Sequence, residues 1–276
     1  MSHVEKHNPL KSSAITRKTD SLREGRRCKV AFSELRLDDV RKDAINFGLA
    51  TEVLYQMSAG KEASIYIAEW RGFPIILKAY RLWQSSHRMS KSKGHITTGG
   101  KRSHNILSMI EELAMMEHDI LNHCFRAGVH VPTPIGRVAN LLTMRFIGDE
   151  LEPASQLREV TVEDPERVLN QIFDDYLTMY RDAHYVHGDL SGYNILWWRD
   201  RPWIIDVPQA YKVGAWADMK KVELMLLRDI KNVLLYFEQY EIYREPESIL
   251  DVFLDEYTPE NLRHYKELSQ EGAELL

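Results

Sequence analysis

Four polar side chains stand at spacings that suit phosphoryl transfer. In His187-Gly188-Asp189-Leu190-Ser191-Gly192-Tyr193-Asn194-Ile195-Leu196 a carboxylate precedes an amide in the pattern Asp-x4-Asn, and an apolar run follows. An acceptor hydroxyl must lie in line with a γ-phosphate, and Asp189 can orient it by accepting its proton while the Asn194 amide oxygen holds a divalent cation. Asp206 closes the apolar run Trp203-Ile204-Ile205 and opens onto Val207-Pro208-Gln209. A carboxylate at a strand end before such a turn suits a cation bridging phosphates. Taken singly, each is an ordinary surface-loop or turn residue; their order and spacing together give the signal.

Upstream, Ile75-Ile76-Leu77-Lys78 ends an apolar strand in a lysine, placed to pair α- and β-phosphates. A buried ammonium needs a carboxylate partner. Helical spacing leaves Glu111, Glu112 and Glu117 open for that role. Between the first two strands lies Ser58-Ala59-Gly60-Lys61-Glu62-Ala63-Ser64-Ile65, which retains only the middle glycine of G-x-G-x-x-G-x-V. Small residues there let backbone amides approach a phosphate, and the Ser58 hydroxyl can donate to it; a plain hairpin turn is the competing reading.

These groups need a scaffold. Residues 1–30 are polar and basic with little periodicity and read as a disordered arm. Ser33 caps an expected helix with apolar positions Leu35, Val40, Ile45 and Leu49. Val53-Leu54-Tyr55, Ser64-Ile65-Tyr66-Ile67-Ala68 and Pro74-Ile75-Ile76-Leu77-Lys78-Ala79-Tyr80 read as an antiparallel meander turning at Gly60 and at Arg71-Gly72-Phe73-Pro74. A polar insertion covers 84–105, then a helix is expected over 106–126 and strands over 129–134 and 141–147. Helices are expected over 165–183 and 218–240, with shorter ones beyond. A strand-rich front (31–147) and a helix-rich back (148–276) predict a two-lobed α+β protein with an extra N-terminal helix. Trp197, Trp198 and Trp203 flank an expected hairpin and read as packing residues. His184 and His187 lack metal-ligand spacing, and His187 is expected to brace the Asp189 loop by hydrogen bonding.

With 44% hydrophobic and 28% charged residues, the 276-residue chain can bury a core without a disulfide or metal staple. Its net charge of −5 argues against a dedicated nucleic-acid binder, and no sequence-specific DNA binding is expected. Basic residues nevertheless gather at 11–29 and again at Arg81, Arg88, Lys91, Lys93, Lys101 and Arg102. These are either solvated segments or contacts for RNA phosphates. Cys28 and Cys124 fit no CxxC pattern, which suggests a reducing, cytoplasmic setting. No apolar run is long enough to enter a membrane.

The motifs resemble those of RIO-type atypical serine protein kinases, in particular the RIO1 branch. Ser-Ala-Gly-Lys-Glu-Ala-Ser-Ile-Tyr (58–66) is similar to S-T-G-K-E-A-N-V-Y, and Ile-Leu-Lys-Ala-Tyr-Arg (76–81) to V-K-I-Y-R. Ala-Gly-Val-His-Val-Pro-Thr-Pro (127–134) resembles A-G-V-x-V-P-x-P, and residues 187–196 resemble H-x-D-L-S-E-Y-N-[IM]-L. Residues 204–210 resemble I-I-D-V-S-Q, and Leu-Leu-Arg-Asp-Ile-Lys-Asn-Val (226–233) fits the closing helix. The resemblance covers about residues 50–240. It implies a two-lobed kinase fold using ATP and Mg²⁺ (or Mn²⁺), serine autophosphorylation or ATPase activity, and a role on the maturing small ribosomal subunit, with its rRNA and proteins as partners. Carried over by position, Asp189 becomes the proton acceptor, Asn194 and Asp206 the metal ligands, and Asp206 the site of an aspartyl-phosphate. Ser58, Gly60 and Lys61 fall on the phosphate loop, Glu117 on the partner of Lys78, and Met144, Arg145 and Ile147 on a hinge whose backbone meets adenine. Arg145 stands in place of the usual hinge glutamate, Gly192 in place of the glutamate of S-E-Y-N, and Pro208 is the residue of the RIO2 branch.

No A-P-E follows Asp206, which predicts poor recognition of extended peptides. Two other classes fit parts of the pattern. A small-molecule kinase of aminoglycoside or choline type shares the H-G-D-L…N-x-L loop, and an assembly factor could bind ATP as a switch with little transfer.

Overall fold

The structure, a computed structural model, describes residues 36–60, 62–81 and 106–260. They fall into two compact units. The first runs to His118 and takes in Pro134–Phe146; the second comprises Asp119–Thr133 and the residues from Ile147 onward. The expected first lobe, 31–147, thus gives up 119–133 to the second unit.

The first unit opens with helix α1 (Leu37–Asn46). Val40 and Ala44 are its buried apolar residues, while Ile45 is largely exposed, and Leu49 is buried only after the helix has ended at Phe47. The expected stripe was therefore displaced by one position, and Ser33 and Leu35 lie outside the described residues. Then come β1 (Glu52–Ala59), β2 (Ala63–Trp70) and β3 (Phe73–Tyr80). Trp70 pairs with Phe73 across Arg71 (φ 52°) and Gly72 (φ 83°). Two successive positive φ values make the tight primed turn that matches strand twist, and Gly72 takes its share without a Cβ penalty. Helix α2 (Ile106–Ala127) follows and supplies residues to both units; β4 (Pro134–Val138) and β5 (Leu141–Arg145) complete an antiparallel sheet of order β1-β2-β3-β5-β4. Central β2 and β3 bury Tyr66, Ile67, Leu77 and Ala79, whereas edge strand β1 is exposed along most of its length and interrupted by two register shifts. The strand expected over 129–134 does not form; only Pro134 enters β4, because the Val131 amide turns back to the Val129 carbonyl.

The second unit has two-residue strands β6 (Gly148–Asp149), β7 (Glu152–Pro153) and β8 (Ser155–Gln156), then a 3₁₀ turn at Leu157–Glu159. Helix α3 (Pro165–Arg181) starts at Asp164, whose carboxylate caps the Arg167 amide at 3.1 Å, with Pro165 in the first turn. After β9 (Tyr185–Val186), strands β10 (Ile195–Trp198) and β11 (Arg201–Ile204) form the expected tryptophan-flanked hairpin, and β8 joins β10. Strand β12 (Tyr211–Lys212) pairs with β9, and helices α4 (Met219–Phe237) and α5 (Pro246–Glu256) follow. The core is Val168, Leu169, Ile172, Tyr176 and Tyr180 of α3 with Val222, Leu226, Ile230 and Phe237 of α4. Segment 119–133 is tied in by His130: its carbonyl accepts from the Ile204 amide at 2.8 Å, its Nδ1 meets Asp175 at 2.8 Å, and Arg201 donates to its Nε2 at 2.6 Å.

Candidate active site

In the first unit, β3 turns Lys78 inward among apolar neighbours, where it is only 7% exposed. Its Nζ meets Oε1 of Glu117 on α2 at 2.9 Å, and Glu117 is 2% exposed. Of the three glutamates that helical spacing left open, the structure thus pairs Glu117 with Lys78. A buried ion pair is weak evidence for stability, because desolvation offsets the attraction; holding an ammonium at one orientation is a better account of it.

The connection between β1 and β2 is a closed turn. Ser58 is exposed on β1 opposite Ile65, and the Gly60 amide donates to the Ala63 carbonyl at 2.9 Å. That amide is already engaged, so glycine here serves close approach of backbone: a Cβ on Gly60 would stand 3.2 Å from the Ala63 carbonyl oxygen. Lys61 lies outside the described residues. Arg81, expected on a basic stretch that is either solvated or in contact with RNA phosphates, is instead buried and donates to the Gly60 carbonyl. The rest of both basic stretches, like the insertion 84–105, lies outside the described residues. Met144 is buried in β5 opposite Ile76 and Pro134, and exposed Arg145 pairs with Ile75. The unit ends at Phe146. Ile147 begins the second unit, its carbonyl accepting from the Ala154 amide at 3.0 Å.

In the second unit, the loop between β9 and β10 presents Asp189 and Asn194. Asn194 Nδ2 donates to the Asp189 carbonyl at 2.8 Å and lies 3.4 Å from its Oδ2, which leaves Oδ1 of the amide as an acceptor that could face a cation. The Asn194 carbonyl accepts from the Ile205 amide at 2.9 Å. Buried His187 completes the brace: Nε2–H donates to the Ile205 carbonyl at 3.0 Å, and Nδ1 accepts from the Asp189 amide at 3.3 Å, which requires the neutral ring. Residue 205 is thus held on both sides by the loop that carries Asp189. Exposed Asp206 follows it in a left-handed conformation, φ 60°. Asp189 is exposed as well. Among the described residues no group of three or more His, Cys, Asp or Glu side chains is arranged to hold a metal. The Asp206 carboxylate and the Asn194 amide oxygen are donors of the oxygen type that Mg²⁺ takes alongside phosphates and waters.

One residue of this site was missed from sequence. Asp229 on α4 is fully buried and accepts from the Tyr176 hydroxyl at 2.6 Å, the Gly188 amide at 2.7 Å and the Leu190 amide at 3.2 Å. Burial raises its carboxyl above the ordinary value, and the Tyr176 hydroxyl pulls it back. Neighbouring Arg228 donates to the Gly188 carbonyl. The signal was available: Asp229 falls on the same helical stripe as Leu226, Ile230 and Val233, where an acid needs a reason. At Gly192 an added Cβ would meet Arg158 Cβ at 3.4 Å, ordinary contact, and the Arg158 guanidinium lies over the Tyr193 ring at 4.1 Å.

Residues 64–249 match the RIO domain. Serine/threonine-protein kinase rio1 of Dictyostelium discoideum is 29% identical over 208 residues, covering 72% of this chain and 35% of that protein. RIO-type serine/threonine-protein kinase Rio1 of Haloferax volcanii is 30% identical over 200 residues, covering 71% and 66%. The chain therefore spans from about a third to about two thirds of the length of these relatives. Two crystal structures of the Rio2 kinase from Chaetomium thermophilum, one an ADP/Mg²⁺-phosphoaspartate complex, align with TM-scores of 0.57 and 0.58 at 21% and 20% identity. Each alignment covers 78% of this chain, and 66% and 67% of those chains. The likeness establishes the fold class: two-lobed, kinase-like α+β, as the sequence led one to expect.

Proposed function

The chain belongs to the RIO-domain family, and on that premise we propose that it is an ATP-dependent serine protein kinase of the RIO1 branch that phosphorylates itself or turns over ATP slowly. The observation that carries this reading is the buried Lys78–Glu117 pair, which keeps a cation oriented at an interior position where stability alone gives it little reason to be. In the proposed reaction Lys78 holds the α- and β-phosphates, the connection at Ser58, Gly60 and Lys61 covers them, and backbone at Met144, Arg145 and Ile147 meets adenine. Asp206 and the Asn194 oxygen hold Mg²⁺, which neutralises charge on the phosphates when bound. Asp189 accepts the proton of the attacking hydroxyl as its oxygen bonds to the γ-phosphorus; the bond to the bridging oxygen breaks, and ADP leaves.

A second route is favoured by the exposure of Asp206 and by the phosphoaspartate complex of the Chaetomium protein. There the Asp206 carboxylate attacks the γ-phosphorus, ADP leaves, and water hydrolyses the acyl phosphate, so the net reaction is ATP hydrolysis. We further propose a cytoplasmic role on maturing small ribosomal subunits, the basic stretches contacting rRNA phosphates; it rests on the family resemblance and on the charge pattern.

Labelled ATP with Mg²⁺ tests the proposal. On the first route label should appear on a serine of the chain and be absent in Asp189→Ala. Phosphoserine survives hydroxylamine, whereas an Asp206 acyl phosphate is released by it and absent in Asp206→Asn. Efficient transfer to a small alcohol or sugar, or tight nucleotide binding with neither label nor hydrolysis, would contradict the kinase reading.

A further inference from the structure

We infer that Arg81 is a positioning residue for the nucleotide: its buried guanidinium fixes the β1–β2 connection at Gly60, and the phosphates of a nucleoside di- or triphosphate complete its charge. The inference rests on the proposed nucleotide site and adds to it a residue with no role in the scheme above.

Arg81 follows β3 directly. Ala63 pairs with Tyr80, and the ladder continues one step further as the Arg81 amide donates to the Glu62 carbonyl at 2.8 Å. The side chain then turns to the other end of the same connection, and Nη2 donates to the Gly60 carbonyl at 2.5 Å. One residue thus grips backbone on both sides of the turn, from below the surface: Arg81 is 7% exposed.

The charge balance is unusual. A guanidinium carries five N–H donors and stays ionised in proteins. Among the described residues Arg81 has one neutral carbonyl as its side-chain acceptor, its buried Nε–H has no partner, and no carboxylate lies within ion-pair distance. Lys78, three residues earlier, has Glu117. Lys78 is thereby neutralised in place, while Arg81 leaves a net positive charge under the turn. Buried charge without a counter-charge is disfavoured, and a polyanion at the turn supplies what is missing. The geometry selects anionic ligands and makes the protein more stable with one bound than without.

Arg81→Met and Arg81→Lys test this against the parent, with Lys78→Met as control. Replacing an uncompensated buried charge by an apolar side chain of similar length should leave the melting temperature of the nucleotide-free protein within about 4 °C of the parent. The KM for ATP of Arg81→Met should rise at least about fivefold with kcat within about threefold, the signature of lost ground-state binding. The rise in melting temperature caused by ADP with Mg²⁺ should shrink by about half or more. Arg81→Lys, which keeps charge but loses the fork, should fall between. Failure of Arg81→Met to fold, or a larger loss of melting temperature, would show a brace of the sheet and overturn the inference, as would a smaller change in KM. If Lys78→Met abolishes transfer while Arg81→Met leaves KM unchanged, only this inference falls. If Lys78→Met leaves transfer intact, the nucleotide site itself is misassigned.

Discussion

Gly188, between His187 and Asp189, shows how closely the loop is fitted. Its φ is 79°, and a Cβ there would stand 2.6 Å from Met225 Cε and 2.8 Å from the Gln209 carbonyl oxygen. The methionine end can move; the backbone oxygen cannot move cheaply. Gly188→Ala should therefore lose about 2–4 kcal/mol of stability, from left-handed strain plus overpacking, read as a lower urea midpoint at unchanged m-value. At this scale the sequence was informative wherever chemistry demands one residue type at one spacing. That Asp189 and Asn194 share one loop, braced by His187, was legible for that reason. Arg81 was not, because a base next to a run of bases looks solvated until a carbonyl is found bonded to it.

The element that matters most to the site is α4. Through Asp229 it fixes two loop amides and the Tyr176 hydroxyl of α3, so one helix sets the conformation of the loop that carries Asp189. Asp229→Asn cannot accept all three bonds without turning its own N–H₂ against a donor. It should cost about 2–4 kcal/mol and reduce self-labelling at least about tenfold, whereas Tyr176→Phe removes a single bond and costs about 1 kcal/mol. Chemical denaturation and labelling on the same preparations measure both. Strands β1 to β3 were legible because β-branched and aromatic runs are punctuated by turn residues, and α4 because a long amphipathic run opens at Asp218. The run 129–134 misled because Val129 and Val131 fit a strand, while Pro132 and Pro134 withhold the amides that a sheet ladder needs. In α1, a stripe displaced by one position was enough to put Ile45 outside.

For the whole molecule, the contrast between a strand-rich front and a helical back was plain in the sequence, while the allegiance of 119–133 was not. That segment is joined to the second unit by His130, whose partners Asp175, Arg201 and Ile204 lie far along the chain, and no local pattern announces them. The proposed function requires more than either unit holds alone: Lys78 from the first and Asp189, Asn194 and Asp206 from the second must act on one triphosphate. An acyl-phosphate derivative of ATP, which acylates a lysine next to bound phosphates, tests this most directly when modified sites are mapped by mass spectrometry. Modification should fall on Lys78, be suppressed by ATP with Mg²⁺, and drop at least about tenfold in Asp206→Ala, because in the proposed reaction Asp206 holds the metal that anchors the same phosphates. Modification of Lys78 that is indifferent both to competing ATP and to the loss of Asp206 would contradict the account.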